Sequence, residues 1–360
     1  MRKTIGILSV LLVAQLVLAA SMKLTGPDLT AVRPDTPLLA PGGEAVNHLT
    51  IEGPEDQKLM LARQGGNWLL PETGDFPADS GKVDRLLDRL RELKLGLPIA
   101  TSEAARERFK VTDEVFERRV TIAGDNGLLA TLYLGTAPGM RRVHARTGDD
   151  DGVYSVEFGV HEIPARTEEW EDKTVLQIPQ GEVEKIMLKE LTLSAVTDDA
   201  AASVTSDADG QSTVTTTWTS ETLVDGETVN IRNADALAEK LAGLRIGAVL
   251  GSVVQPDYGL ETPVLVVGLQ RKGGEEIEYR LGKRDQEGDY VLKASSRPEY
   301  FRLPGFTAKA LMQAAQREQL VTPAAGGDVG VDLLPETGES NPALSIDGSA
   351  RDTTDAEAVQ

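Results

Sequence analysis

The sequence contains no cysteine among its 360 residues. Disulfide bonds, thiol nucleophiles, cysteine-ligated zinc and a lipidated N-terminal cysteine are therefore all excluded. Aromatic residues make up only 4% of the chain. Basic residues are also in the minority, with 37 lysines and arginines against 57 acidic residues and a net charge of −20. Because phosphate binding needs a clustered basic surface, this balance argues against a nucleic-acid partner.

A short basic and apolar segment begins the chain. Arg2 and Lys3 precede an apolar run over residues 5–20, which is the pattern of a signal peptide or a signal anchor. As a helix this run spans about 24 Å, and two further residues nearly close the gap to the ~30 Å hydrocarbon layer. We expect residues 1–22 to be an uncleaved anchor in the inner membrane, crossing once, with the folded body in the periplasm. Cleavage after Ser21, which would leave a soluble periplasmic protein, is the alternative.

The remaining chain divides by composition and by hydrophobic pattern. Residues 23–45 are rich in proline and glycine and predict a flexible spacer. Residues 46–180 and 181–320 each combine alternating strand patterns with an amphipathic helix, and they predict two folded units. Residues 321–360 mix proline and glycine with acidic residues and show no apolar face, so they predict a disordered acidic tail.

The two folded units resemble each other. The sequence Leu-Tyr-Leu-Gly at 132–135 and the sequence Tyr-Arg-Leu-Gly at 279–282 are each followed by two short strand patterns at nearly the same spacing. Upstream of them, Trp68 and Trp218 each precede a helical pattern. A helix that covers one face of an antiparallel sheet predicts an α+β fold of two tandem repeats. The repeats form either separate domains or two sheets packed as one pseudo-symmetric body.

Residues in both units carry a family resemblance. They are Trp68-Leu-Leu-Pro71, Ala78-Asp79, Leu134-Gly135, Val153-Tyr154-x-Val156 and Trp170-Glu-Asp-Lys173 in the first unit, and Asp257-Tyr258-Gly259-Leu260-x-x-Pro263, Leu281-Gly282 and Tyr290 in the second. Together they resemble the DUF4340 family, a domain of unknown function. The first unit departs from the pattern at Phe109-Lys110-Val111, where Tyr-Gly-Leu is expected. The resemblance implies an exported accessory protein, similar to those encoded beside ABC-type transport components of the gliding-motility kind, and it implies no site residue.

The residues that could carry chemistry form no recognised motif. His48, His144 and His161 have no metal-ligand spacing between any two of them, and we interpret them as surface or strand-face residues. Two acidic turns, at 149–152 and 207–210, offer clustered carboxylates, but both lack the spaced ligands and closing glutamate of a calcium-binding loop. They are interpreted as solvated turns.

The tryptophans and the acidic residues around Trp170 are the candidates for a carbohydrate site. The four acidic residues on either side of Trp170 are nearly consecutive, and we interpret them as exposed rather than as a glycosidase pair. Trp68, Trp170 and Trp218 are interpreted as core anchors. The sequence therefore predicts no catalytic, cofactor-binding or metal-binding residue, no cofactor and no enzymatic activity.

The expected function is that of a non-enzymatic accessory or binding module whose partner is a membrane protein complex of the ABC-transport kind. The first alternative is a periplasmic small-ligand or glycan-binding protein that uses the cleft between the two repeats, and an aromatic-lined cleft would favour it. The second alternative is a hydrolase with dispersed carboxylates, which would need two acidic side chains with raised pKa in one pocket.

Overall fold

The computed structural model describes residues 36–39, 45–179, 181–196, 204–206, 212–214, 216–284 and 288–323, together with Gln15. The predicted anchor, apart from Gln15, lies outside the described residues. Most of the predicted spacer and all of the predicted tail after residue 323 lie outside them as well. Within the described parts of the chain, no helix is long and apolar enough to cross a membrane.

Eight antiparallel strands form the first sheet. They are β1 (His48–Glu52), β2 (Lys58–Gln64), β3 (Asn67–Leu70), β4 (Phe76–Pro77), β5 (Arg118–Gly124), β6 (Gly127–Leu134), β7 (Val143–Thr147) and β8 (Tyr154–Val156). Their order across the sheet is β4-β3-β2-β1-β5-β6-β7-β8. Helices α1 (Ser80–Arg91) and α2 (Glu103–Phe109) lie between β4 and β5 in the chain.

The second sheet also has eight antiparallel strands. The remaining strands are β9 (Val183–Met187), β10 (Thr192–Val196), β11 (Val204–Ser206), β12 (Ser212–Val214), β13 (Thr217–Thr219), β14 (Thr228–Val229), β15 (Ala248–Val249), β16 (Leu265–Arg271), β17 (Glu276–Lys283), β18 (Tyr290–Ala294), β19 (Tyr300–Leu303) and β20 (Val321–Thr322). The sheet order is β13-β10-β9-β16-β17-β18-β19-β15, while β11 pairs with β12 and β14 with β20. The helices are α3 (Ile231–Ala242), α4 (Gly305–Ala314) and α5 (Arg317–Leu320).

Seven strands follow the same order in both sheets. The run β3-β2-β1-β5-β6-β7-β8 corresponds, position by position, to β13-β10-β9-β16-β17-β18-β19. Helix α1 follows the tryptophan-bearing strand of the first sheet, and α3 follows that of the second. The duplication predicted from the sequence is therefore present in the topology. Two large antiparallel sheets with few helices agree with the predicted α+β class.

Helices α1 and α3 form where the apolar spacing predicts them. In α1 the residues Val83, Leu86, Leu87 and Leu90 are buried, and they recur at the three- and four-residue spacing of one helix face. The Asp79 side chain caps α1 by accepting a hydrogen bond from the main-chain N–H of the third residue beyond it, at 2.9 Å. The side chain of the residue before α3, an asparagine, caps that helix in the same way.

A tryptophan fastens each of these helices to its sheet. Trp68 Nε1 donates a hydrogen bond to Asp84 Oδ1 at 3.0 Å, and Trp218 Nε1 donates one to Asp235 Oδ1 at 2.6 Å. Trp68 and Trp170 are fully buried, and Trp218 is 4% exposed. The interpretation of the three tryptophans as core anchors is confirmed.

Two glycines let a loop lie directly on each sheet. A Cβ on Gly135 would lie 1.9 Å from the main-chain oxygen of Phe109, and a Cβ on Gly282 would lie 2.1 Å from that of Tyr258. The next residue in each loop has positive φ, 55° at Lys110 and 65° at Gly259. The loop that departs from the family pattern in the first unit therefore takes the same path as its counterpart.

The buried residues of both sheets form one continuous hydrophobic cluster. At the contact between the sheets, the rings of Phe76 and Phe301 lie 6.2 Å apart, centroid to centroid. The two sheets are thus packed as one body, the second of the two expected arrangements. A smaller cluster of Val111, Tyr133 and Val153 is separate from this core.

Several element boundaries differ from those predicted. Pro37 pairs with Lys94 in an antiparallel bridge, and the two residues after Pro37 are buried leucines, so 36–39 belong to the folded body. The apolar residues at 175–178 predict a closing strand of the first unit, and this prediction is wrong, because residues 173–176 form a turn and 177–178 have no regular secondary structure. The side chains of Leu176 and Ile178 are buried in the shared core, and the main-chain N–H of Ile178 donates to Ala242 O of the second unit at 2.9 Å. Helix α2 was not predicted, because it buries none of its own residues.

Replacing Gly135 or Gly282 by alanine should destabilise the fold, because the new Cβ would overlap a main-chain oxygen. We expect the free energy of unfolding to fall by more than about 2 kcal/mol in each variant, as measured by urea denaturation. Gly96→Ala is the control, since a Cβ there meets nothing within 4 Å. An unchanged midpoint for Gly135→Ala would contradict the close approach.

Asp84→Ala and Asp235→Ala should each leave a tryptophan N–H without its acceptor. We expect each to lower the free energy of unfolding by about 1–3 kcal/mol. Asp88→Ala, on the exposed side of α1, removes only a surface pair with Arg91 and should cost no more than about 0.5 kcal/mol. Equal losses at positions 84 and 88 would show that the indole hydrogen bond is not important.

Candidate binding groove at a strand edge

The three histidines lie in separate places. His48 and His161 are exposed, on β1 and on a single helical turn at 160–162, whereas His144 is buried on β7. The Nδ1 atom of His144 lies 2.8 Å from Thr136 Oγ1, and its ring centroid lies 4.1 Å from that of Phe109. Burial lowers the pKa of His144. In the described parts of the chain, no three histidine, aspartate or glutamate residues are placed to hold a metal ion.

Two carboxylates of the first acidic turn, those of Asp150 and Asp151, are bound by protein donors. Asp150 accepts hydrogen bonds from the N–H of Gly152 at 2.9 Å and from the hydroxyl of Tyr154. Asp151 forms an ion pair with Arg106 at 3.0 Å. The second acidic turn, 207–210, lies outside the described residues.

The acidic residues around position 170 point to different partners. Asp172 accepts hydrogen bonds from the main-chain N–H and the hydroxyl of Thr174 at 2.8 and 2.6 Å. Glu171 is buried, so its interpretation as an exposed residue is wrong. Its Oε2 accepts hydrogen bonds from Lys173 Nζ at 2.6 Å and from the main-chain N–H of Val249 at 3.1 Å. Burial raises the pKa of Glu171.

Glu171 holds a strand that closes the edge of the second sheet. Strand β15 lies beside β19, where Gly247 N donates to Arg302 O at 2.7 Å and Leu250 N donates to Tyr300 O at 2.8 Å. The N–H of Val249 points the other way, to the Glu171 carboxylate. The main chain of β19 is therefore paired on both sides.

The same edge of the first sheet is only partly closed. Ile99 N donates to Val153 O and Val153 N donates to Ala100 O, both at 2.8 Å. Leu250 and Gly251 make the same two hydrogen bonds with Tyr300 of β19. If this register continued for three more residues, the N–H of Gly96 would donate a hydrogen bond to Ser155 O. The N–H of Gly247 donates to Arg302 O in this way in the second unit. Ser155 O instead accepts from Arg142 Nη2 at 2.6 Å, while Arg142 Nε donates to Ser155 Oγ at 2.9 Å.

The difference follows from the residue types at the two edges. Pro98 stands where the second unit has Val249, and proline has no N–H with which to bind a carboxylate. Leu97 is 77% exposed, whereas Ala248 at the matching position is 4% exposed. A Cβ on Gly96 would meet nothing within 4 Å, whereas one on Gly247 would lie 3.1 Å from Arg302 O. The chain at 96–98 thus stands away from β8.

A groove of about 790 Å³ lies between this segment and β8. We call it the β8 groove. One wall includes Leu93, Leu95 and Leu97, and the other is formed by residues 155–157. At one point on the wall Arg89 Nη2 donates to Glu157 O at 3.3 Å. The groove therefore combines an apolar wall with a strand whose main-chain oxygens are held by arginines.

A second cavity of about 710 Å³ lies on the second unit, beside Met187, Val264 and Val266. Each of the two cavities is confined to one unit, and neither is lined by an aromatic side chain. They do not have the character that would favour a glycan site in a cleft between the repeats.

A family model matches residues 68–263, from the tryptophan of β3 to the proline before β16. This range covers more than half of the chain. The chain belongs to the DUF4340 family. This family is a domain of unknown function. No curated protein and no solved structure was found to match the chain. The part matched to DUF4340 includes both walls of the β8 groove, Glu171 and β15.

Sequence reasoning missed the β8 groove and the residues that shape it. The signal was present in the repeat itself, because Gly-Leu-Pro at 96–98 aligns with Gly-Ala-Val at 247–249. A comparison of the two repeats at this point would have shown that only one edge can close. Nothing in the sequence alone indicates that Arg142 takes the place of the missing N–H.

Glu171→Gln should change how stability depends on pH. Because the folded-state pKa of Glu171 is raised, its contribution to stability is complete below the ordinary carboxyl pKa and is lost as pH rises through the raised value. The amide keeps an oxygen for the N–H of Val249. We therefore expect the free energy of unfolding of Glu171→Gln, relative to wild type, to increase as pH rises above the ordinary carboxyl pKa of about 4.3, in urea titrations at each pH.

Glu114→Gln, which removes one negative charge from an exposed residue that does not act on the pKa of Glu171, is the matched control. A difference from wild type that does not change with pH in Glu171→Gln would contradict the raised pKa.

Proposed function

We propose that this protein is a non-enzymatic accessory module of a membrane transport complex of the ABC type. It is held in the inner membrane by residues 1–22 and presents its two packed sheets to the periplasm. The basic and apolar N-terminal pattern supports the anchor. The observation that carries the binding role is the open edge of β8, beside which the chain leaves a groove.

Open strand edges bind polypeptides because their unpaired N–H and C=O groups can continue the ladder with another chain. In the second unit the protein covers this edge with its own strand β15. In the first unit the corresponding residues stand away, and an arginine side chain occupies the carbonyl of Ser155. One repeat is thus closed and the other is open to a partner.

The other two candidate functions receive less support. Among the described residues, the candidate acids bind separate protein donors instead of facing one another, which disfavours a hydrolase. The two cavities are confined to single units and have no aromatic lining, which disfavours a glycan-binding cleft. A protein partner at a strand edge needs neither feature.

The test is affinity capture of the full, membrane-anchored chain from its native cells in mild detergent, with quantitative mass spectrometry. We expect an ABC-type permease or its partner subunits to be recovered in stoichiometric amount. Recovery of the protein alone would overturn the proposal.

A variant connects this test to the β8 groove. Leu97→Ala with Pro98→Val copies the residues of β15, and it should close the edge and protect the amide of residue 96 from hydrogen exchange. We expect recovery of the partner to fall at least about tenfold. Val264→Ala with Val266→Ala, at the second cavity, is the control and should leave recovery unchanged. Equal losses in both variants would contradict the assignment to the β8 groove.

A further inference from the structure

We propose that the β8 groove binds an extended, acidic polypeptide segment, which adds to the β8 edge as a new strand. This inference rests on the proposed function, because it names the chemistry of the segment that the partner would contribute. Three features carry it: the direction of the free main-chain groups, the strand at the matching place in the second unit, and the arginines at the edge.

The main chain of Ser155 faces the groove. Ser155 is paired with His144 of β7, and the N–H and C=O of His144 bond to the other side, to Thr136 O and Gly135 N, both at 2.9 Å. In an antiparallel pair this makes the two residues a pair without mutual hydrogen bonds. The N–H and C=O of Ser155 therefore point away from β7, as those of Val153 do where they bind residues 99 and 100. Val153 therefore forms hydrogen bonds with an adjacent chain segment, whereas, among the described residues, the main chain of Ser155 has no strand on this side to pair with.

The second unit shows what this fold accepts at such a place. There the edge of β19 is completed by β15, a short extended segment that pairs Ala248 with Arg302 and Val249 with Phe301. The matching edge of the first sheet has the same strand order behind it. By comparison with the second unit, an extended polypeptide segment is thus the occupant that suits the edge of β8.

The charged side chains favour an acidic occupant. Arg89 and Arg142 donate to the main-chain oxygens of Glu157 and Ser155, so an incoming strand must displace them to bind the same edge. Arg89 already lies 3.8 Å from Glu92 and 3.7 Å from Glu162, whereas Arg142 forms no ion pair among the described residues. The displaced Arg142 guanidinium therefore gains most from a carboxylate on the incoming strand. The groove is lined by three basic residues and two acidic ones, in a chain whose net charge is −20.

The apolar wall sets the pattern of the segment. Leu97 is largely exposed and lines the groove opposite the strand. The groove thus offers apolar contact as well as arginines. Because side chains on a strand alternate between its two faces, a segment of alternating character presents one face of acidic and one face of apolar residues. The segment that fits best alternates acidic and apolar residues.

The probe is a fluorescein-labelled, end-capped peptide of the sequence Asp-Val-Asp-Val-Asp-Val-Asp, titrated with the full chain in detergent at low salt. Fluorescence anisotropy should show saturable binding. We expect at least about tenfold weaker binding for the peptide with lysine in place of aspartate. The same loss is expected for an aspartate peptide that is N-methylated at alternate residues, because it cannot donate to the strand edge.

Arg142→Ala should reduce the preference for aspartate over lysine. Arg141→Ala, which removes a charge from the exposed neighbour outside the groove lining, should keep that preference. The proposal would be overturned if the aspartate and lysine peptides bound equally well, or if N-methylation of the peptide left binding unchanged. If the probe binds only after residues 324–360 are removed, the occupant is the chain's own acidic C-terminal segment, and a foreign strand is ruled out.

The peptide test and the capture test can fail separately. Capture of transport subunits without probe binding would overturn the added strand and leave the proposed function standing. Probe binding without capture of transport subunits would overturn the proposed function, while the strand-edge site would remain.

Discussion

The hydrogen bond from a strand tryptophan to a helix aspartate is the contact on which each repeat depends. In each repeat this bond attaches one helix to its sheet, through Trp68 and Asp84 in the first and through Trp218 and Asp235 in the second. The end of each helix then lies near the last meander strand, so the chain that follows must run along that edge. Where it pairs, the edge is closed, and where it stands away, a groove remains. The attachment is the same in both repeats, so it places the following chain at the edge but does not decide whether that edge closes.

The two repeats differ at this edge because of a few residues. Val249 has an N–H that the buried Glu171 carboxylate binds, and Pro98 has none. A net hydrogen bond is worth only about 1 kcal/mol, but β15 has only two residues, so a contribution of this size matters for its position. A duplicated fold can therefore close the sheet edge in one repeat and leave the matching edge only partly paired in the other. No change in strand order is needed.

Predictions from local pattern succeeded where one short segment decides the outcome. The spacing of Val83, Leu86 and Leu90 predicts α1, and these residues are buried on one face of that helix. Such predictions failed where residues serve distant contacts. Apolar residues at 175–178 predicted a strand, but the chain turns there and joins the second unit. Glu171 is in an acidic run that predicts exposure, and it is buried because it reaches β15.

By itself the sequence determined the duplication, the tandem antiparallel units, the core role of the tryptophans and the membership in a family of unknown function. These depend on periodicity and on residue types, which are local properties. Only the tertiary structure decided that the two sheets share one core, that the Phe109 loop matches the Tyr258 loop, and that Arg142 covers an unfinished strand edge. Each of these depends on residues far apart in the chain, and contacts of that kind are set by packing rather than by local pattern.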